Sequence, residues 1–203
     1  MNGDLAIVLV VFDGYEDMWS DCVRYIKKYW NNHPPIYMFT NSIEYTSNDV
    51  ICFPVGKKAE WSDKVRAAIK NVKEQYFVML LEDFFVGEKI DEQAVCELIN
   101  YMKTRKLGYV KLCENNEAIH HRQQKYEKGY PFEVIYKDQK YGISLQPSIW
   151  AKKMLTEIVG EKSYNAWEFE AERLKEVNNQ KHEIMTEAIF DPRNILHIKH
   201  GAI

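Results

Sequence analysis

Tyr76-Phe77-Val78-Met79-Leu80-Leu81-Glu82-Asp83-Phe84-Phe85 is the stretch on which the reading of this chain turns. Six apolar residues in a row, with a polar helical pattern before them and Gly87 after, describe a strand buried on both faces, as in a parallel sheet. A neutral turn normally closes such a strand. Here two adjacent carboxylates and two aromatics follow instead. In an open α/β sheet, ligands sit beyond the carboxyl ends of the strands, so Glu82 and Asp83 are aimed at the place where chemistry would occur. The plainer alternative has Asp83 opening a turn and Glu82 pairing with a surface lysine.

The segments before this strand repeat its logic. Residues 5–12 (LAIVLVVF) form a second buried strand, broken by Asp13-Gly14. Residues 18–30 carry apolar side chains at helical spacing, and Asn31-Asn32-His33-Pro34-Pro35 ends that helix. Residues 36–39 give a short strand closing at Thr40-Asn41, and 50–55 a weaker one followed by Gly56 and the basic pair Lys57-Lys58. Residues 61–72 are helical, with Trp61, Val65, Ile69 and Val72 on one stripe, and Asp91 caps a helix bearing Val95, Leu98, Ile99 and Met102. Strands alternating with helices in this way predict a parallel-rich α/β sheet with right-handed crossovers.

The second half has a different texture. A strand is expected at 109–112, then a polar, aperiodic stretch at 114–130 containing His120-His121. Residues 132–136 and 141–145 read as a hairpin-like pair, and Ser148 as the cap of a helix reaching about 159, with Gly160 at its end. A further helix is expected over 166–177, and late strands over 183–189 and 195–198. With no internal repeat and no linker, residues 1–203 read as one domain, about 1–112 forming a nucleotide-type half and about 113–203 an acceptor half.

Composition narrows the classes. Apolar residues make up 46% of the 203 and aromatics 13%, enough for a large core, while 28% charged residues suit a soluble protein. A net charge of -3 argues against nucleic acid as the main partner. Cys22, Cys52, Cys96 and Cys113 share no CxxC spacing and sit in apolar segments, as reduced core thiols do. Neither a signal peptide nor a membrane-length apolar run is present, so a cytoplasmic protein with at most peripheral membrane contact is expected.

Two further motifs carry chemistry: Ser144-Leu145-Gln146-Pro147-Ser148-Ile149-Trp150, and Asn165-Ala166-Trp167-Glu168-Phe169-Glu170. Asn165 with Glu168 three residues on matches a capping box, which gives Glu168 a structural task. Glu170 has no such task. Flanked by Trp167 and Phe169, it would be partly buried, which favours a general base over a solvated first-turn glutamate.

Taken in order, VVFDGYEDMWSDCVRYIKKYW, IYMFTN, WSDKVRAAI, VMLLEDFF, ISLQPSIW and NAWEFE resemble bacterial glycosyltransferases of the GT-A type, more narrowly the small cytosolic enzymes of capsule and lipopolysaccharide biosynthesis. The resemblance covers about residues 5–198. It implies a GT-A-like (Rossmann-like), mixed, mostly parallel central sheet flanked by helices in a single domain. It also implies a nucleotide-sugar donor, UDP foremost, and a glycan or lipid-linked acceptor, met in the cytoplasm or at the inner face of the membrane. In that pattern Phe12, Asp13 and Asn41 line the base and ribose pocket, and Lys64 and Arg66 face the pyrophosphate. Glu82 and Asp83 stand at the acidic metal motif, where Mn²⁺ or Mg²⁺ would bridge diphosphate oxygens, with His197 or His200 as a further ligand. This chain has Glu-Asp-Phe-Phe where Asp-any-Asp is usual. Glu170 matches the base of inverting enzymes, with Glu168 beside it, while Gln146, Tyr164 and Trp167 meet the acceptor. The competing reading is a non-catalytic relative that binds a nucleotide or glycan within a polysaccharide assembly.

Overall fold

A computed structural model describes residues 3–113, 132–135, 142–175, 188–193 and 195–200. Its centre is a sheet of eight described strands in the order β3-β2-β1-β4-β8-β6-β9-β7. The first four, β1 (Leu5–Val10), β2 (Ile36–Thr40), β3 (Val50–Pro54) and β4 (Tyr76–Leu80), are mutually parallel. Next to β4 lies β8 (Ser148–Ala151), antiparallel to it and to β6 (Tyr109–Lys111). β9 (Ala188–Phe190) runs parallel to β6, and β7 (Glu133–Val134) closes the edge antiparallel to β9. Every residue of β1 is buried, as a near-continuous apolar run covered on both faces requires.

Helices cover both faces. On one side α1 (Glu16–Tyr29) and α3 (Glu92–Arg105) enclose a core that includes Trp19, Ile26, Leu98 and Met102. On the other, α2 (Trp61–Asn71) and α4 (Lys152–Val159) pack over Trp61, Val65, Trp150 and Leu155. Asp91 caps α3 as its sequence position predicts, accepting the Ala94 amide at 3.0 Å. No helix among the described residues is long and apolar enough to cross a membrane.

The second half departs from the sequence reading in three places. Ser148 does not cap a helix. Ser148-Ile149-Trp150-Ala151 is a central strand, and the helix begins only at Lys152. Burial on both faces outweighs the helical signal, and the Ser148 hydroxyl is taken by Trp150 Nε1 at 2.8 Å. The expected hairpin is absent too, because β7 pairs with β9 and residues 142–145 form no strand. Lastly, β4 stops at Leu80, so that Glu82 and Asp83 occupy a turn closed by the Phe84 amide on Leu81 O at 3.2 Å. β5 (Phe84–Val86) then pairs with β10 (Ile198–His200) in a separate two-stranded sheet. The expected stretch 114–130 with His120 and His121, residues 136–141, and the ends of the expected 166–177 helix and 183–189 strand lie outside the described residues.

Candidate active site

Parallel strands deliver their carboxyl ends to one edge of the sheet. From β1 the chain moves outward to β2 and β3 on one side and to β4 on the other, so the order of strands reverses between β1 and β4. A crevice at such a reversal is the expected ligand site of an open α/β sheet. A cleft of about 1100 Å³ opens there, lined among others by Phe12, Asn41, Lys64, Glu82 and Asp83. Because β8 is antiparallel, the loop that leads into it reaches the same edge, adding Leu145 and Gln146. α5 (Ala166–Glu168) and the π-helical stretch Phe169–Arg173 that continues it bring Trp167 and Glu170 to the far wall.

The strand ends are tied together by polar side chains. Asp13 accepts the amides of Asn41 (2.9 Å), Ser42 (2.8 Å) and Ile43 (3.1 Å) and the Ser42 hydroxyl (2.8 Å). Burial alone would raise its pKa, but these four bonds together hold it below the ordinary value. Lys64 is nearly buried, and its ammonium donates to Val11 O at 2.6 Å and Asn41 Oδ1 at 2.9 Å. Burial lowers its pKa, against the pull of Glu82, Asp13, Glu60 and Asp63. Asn41 Nδ2 in turn donates to Ala59 O at 2.6 Å, which ties the turn Gly56–Ala59 to β2. Asp13 thus acts as a brace behind the cleft and is not among its lining residues.

Glu82 and Asp83 differ in environment. Glu82 is only 8% exposed. Burial pushes its carboxyl up to about 7; Asp83 adds to the rise, while Lys64 and backbone amides including that of Phe12 oppose it. Below the turn, the buried Cys22 thiol faces Leu81 O and Phe84 O at 3.9 and 3.8 Å. Asp83 follows at the cleft surface. Among the described residues, no three His, Cys, Asp or Glu side chains gather as a metal cage. His197 sits away from the cleft, its Nε2 3.9 Å from Glu88 Oε1. His200 pairs through its backbone with Phe84, and its side chain lies outside the described residues. Glu82 and Asp83 could offer a divalent ion one or two carboxylates, the number Mg²⁺ commonly takes from protein.

The two glutamates of NAWEFE separate cleanly in space. Asn165 Oδ1 accepts the Glu168 amide at 2.9 Å and Glu168 Oε2 accepts the Asn165 amide at 3.1 Å, completing a reciprocal cap. Glu170 Oε1 accepts the Leu145 amide at 2.6 Å and lines the cleft. The π-helical turn, which admits one extra residue per turn, sets the direction of Glu170 relative to the cap. Trp167 is 83% exposed at the mouth, free to offer a ring face, and Phe12 is 53% exposed across from it. Tyr164 is buried against Phe169 and does not reach the cleft. Arg66 also lies elsewhere. It donates to Gly160 O (2.9 Å) and Lys162 O (3.1 Å) and pairs with Asp63, clamping α2 to the turn after α4.

The expected set omits Lys57 and Lys58, which line the cleft from the turn Gly56–Ala59. Gly56, with a φ of +154°, is the residue that lets this turn form, and Gly-Lys-Lys after a strand is the signal that points to it.

No family model and no curated protein matches this sequence. Solved structures do match its fold. Residues 1–349 of S. aureus TarS superpose with a TM-score of 0.58 at 8% identity, over 94% of this chain and 58% of that one. TarS in complex with UDP gives 0.56 at 6% identity, over 94% and 58%, and in complex with UDP-GlcNAc 0.55 at 8%, over 94% and 56%. A197 from STIV matches at 0.50 and 11% identity, over 98% of this chain and 86% of that chain. This chain spans little more than half the length of these three TarS chains. At such identities the likeness shows the architecture, which is GT-A-like.

Proposed function

We propose that the protein is a glycosyltransferase that moves a sugar from a nucleotide-sugar, UDP-linked foremost, to a glycan or lipid-linked acceptor with inversion. The observation that carries this reading is one cleft with the carboxyl ends of parallel strands along one wall and a carboxylate, Glu170, anchored by the Leu145 amide on the other. The TarS complexes with UDP and UDP-GlcNAc supply the ligand class for the same architecture. Capsule or lipopolysaccharide assembly is the setting that best suits an acceptor of this kind.

A sugar hydroxyl is a weak nucleophile, and Glu170 takes its proton as the new C1–O bond forms. The bond from C1 to the donor phosphate breaks on the opposite face, and the nucleoside diphosphate leaves with the electron pair. Trp167 gives the acceptor ring a flat apolar face, and Gln146 stands beside it to hydrogen-bond hydroxyls. Asp83 would hold a divalent ion, which would supply positive charge against the leaving diphosphate. Calorimetry with UDP, UDP-sugars and the other nucleoside diphosphates tests the donor site. Binding in the micromolar to millimolar range is expected, and no heat with any of them would remove the assignment. Binding without transfer to any glycan acceptor would favour the non-catalytic reading.

A further inference from the structure

The far wall of the cleft does not stand by itself. It hangs from the turn at 160–165, between the end of α4 and the start of α5, and α2 holds that turn along its length. Ser62, fully buried, donates its amide to Tyr164 O at 3.0 Å and accepts the Tyr164 amide on Oγ at 2.8 Å. Arg66 Nη1 donates to Gly160 O at 2.9 Å and to Lys162 O at 3.1 Å, while Nη2 donates to Ser163 Oγ at 3.3 Å and pairs with Asp63. Asp63 in turn accepts the Ser163 hydroxyl at 2.8 Å. Past the turn, the Phe169 ring lies 4.6 Å from that of Trp61, and Glu170 follows it. The same end of α2, through Trp61 and Lys64, lines the cleft beside the strand ends. One helix end thus touches both walls.

We propose that Arg66 is a positioning residue: by holding the turn at 160–163 to α2, it sets the distance of Glu170 from the donor across the cleft. This rests on the reading of Glu170 as the base. A guanidinium presents its donors in a rigid planar fork. Here that fork spans two carbonyls and a hydroxyl of one turn, and the Asp63 carboxylate orients it. The Leu145 amide holds one oxygen of Glu170 at 2.6 Å, but the helix that carries Glu170 starts at the Asn165–Glu168 cap, where the clamped turn ends. Without the fork, the two Ser62–Tyr164 bonds remain, so the wall stays folded while Gly160 loses its bond to Arg66. A misplacement of about 1 Å, far from the chemistry, can cost about 10²-fold in rate.

Arg66→Ala and Arg66→Lys test the role beside wild type and Glu170→Gln. UDP binding is measured by calorimetry, and turnover as UDP release from the UDP-sugar that binds, with water in the acceptor's place. Fluorine NMR of protein labelled with 5-fluorotryptophan follows Trp61 and Trp167 on the two walls, with Trp19 and Trp30 in the opposite core as references. In Arg66→Ala, UDP affinity and donor KM should hold while kcat falls by about 10–10²-fold. The Trp61 and Trp167 resonances should move and those of Trp19 and Trp30 should not. Lysine, which keeps the charge but not the fork, should restore part of kcat. Loss of UDP binding in Arg66→Ala would return the arginine to the diphosphate and overturn the positioning role. So would a wild-type kcat with unmoved Trp61 and Trp167 resonances and only a lower melting temperature. In either case an inactive Glu170→Gln leaves the base reading standing, whereas an active Glu170→Gln ends that reading and the positioning role with it. Should Arg66→Ala fail to fold, Ser163→Ala, which takes the turn's hydroxyl from both Asp63 and Arg66, should show the same split in smaller measure, and its absence would overturn the proposal.

Discussion

Two glutamates two residues apart have different fates because of what each one touches. Glu168 closes a ring of two hydrogen bonds with Asn165, and glutamine can make the same two bonds. Glu168→Gln should therefore leave the rate near wild type, while Glu168→Ala should cost about 0.5–1 kcal/mol in melting experiments. Glu170→Gln keeps an acceptor for the Leu145 amide but no base, so it should fold normally and lose about 10²–10⁴-fold in transfer rate. A dead Glu168→Gln beside an active Glu170→Gln would reverse the assignment. Glu82 makes a prediction about stability. Its folded pKa of about 7 lies above the ordinary 4.5, so the folded state holds more protons between these values. Stability from this group is full below pH 4.5 and is lost as pH rises through 7, by roughly 3 kcal/mol. Asp13, lowered from 3.8, acts below that window. Urea unfolding at pH 5 and pH 8 should show the loss in wild type and a much flatter response in Glu82→Gln; equal slopes would refute it.

Among elements, legibility followed how far each strand's partners were local in sequence. β1, β2 and β4 are continuous apolar runs, and apolar pattern alone placed β1 and β2 within a residue or two, while the expected 76–83 strand overran β4 by three residues. β8 was illegible for a physical reason. Four residues before a helix carry too little periodicity to declare a strand, and its partners, β4 and β6, lie about 70 and 40 residues away. The same holds for β5, whose pairing with β10 spans more than a hundred residues. The join between β8 and α4 rests on a close approach at Gly108, whose amide neighbour Ala151 donates to Gly108 O at 2.7 Å. A Cβ at Gly108 would meet the buried Met154 side chain, its Cβ only 2.9 Å away. Gly108→Ala should lower stability by about 1–3 kcal/mol. Part of that loss should return in Gly108→Ala/Met154→Ala, which removes the Met154 Sδ and Cγ that the new methyl also meets and leaves the Cβ contact in place. Additive losses in thermal melts would show that the two side chains do not compete.

On the scale of the whole molecule, the sequence located the cleft and blurred its contents. Strand ends are written in apolar runs, so Phe12, Asn41, Glu82 and Asp83 could be placed together before any coordinates. Arg66 and Tyr164 could not be excluded, because their partners, Gly160 to Ser163 for one and Phe169 for the other, are brought close only by tertiary folding. The metal question belongs to this scale as well, since it depends on charge gathered from several elements. Lys57, Lys58 and Lys64 line the cleft together with Glu60, Glu82, Asp83 and Glu170, so a diphosphate entering it meets mixed charge and little net attraction. We propose that Asp83, at the cleft surface, is the carboxylate that would meet a divalent ion brought in by the donor. The protein without nucleotide should then retain no Mn²⁺ on dialysis, and Mn²⁺ should strengthen UDP binding in calorimetry. Asp83→Asn should bind UDP as wild type does in chelator and gain nothing from Mn²⁺, its melting temperature unmoved. Should wild type bind UDP equally well with chelator and with Mn²⁺, the lysines alone balance the diphosphate, and Asp83 is a polar contact to the sugar or phosphate.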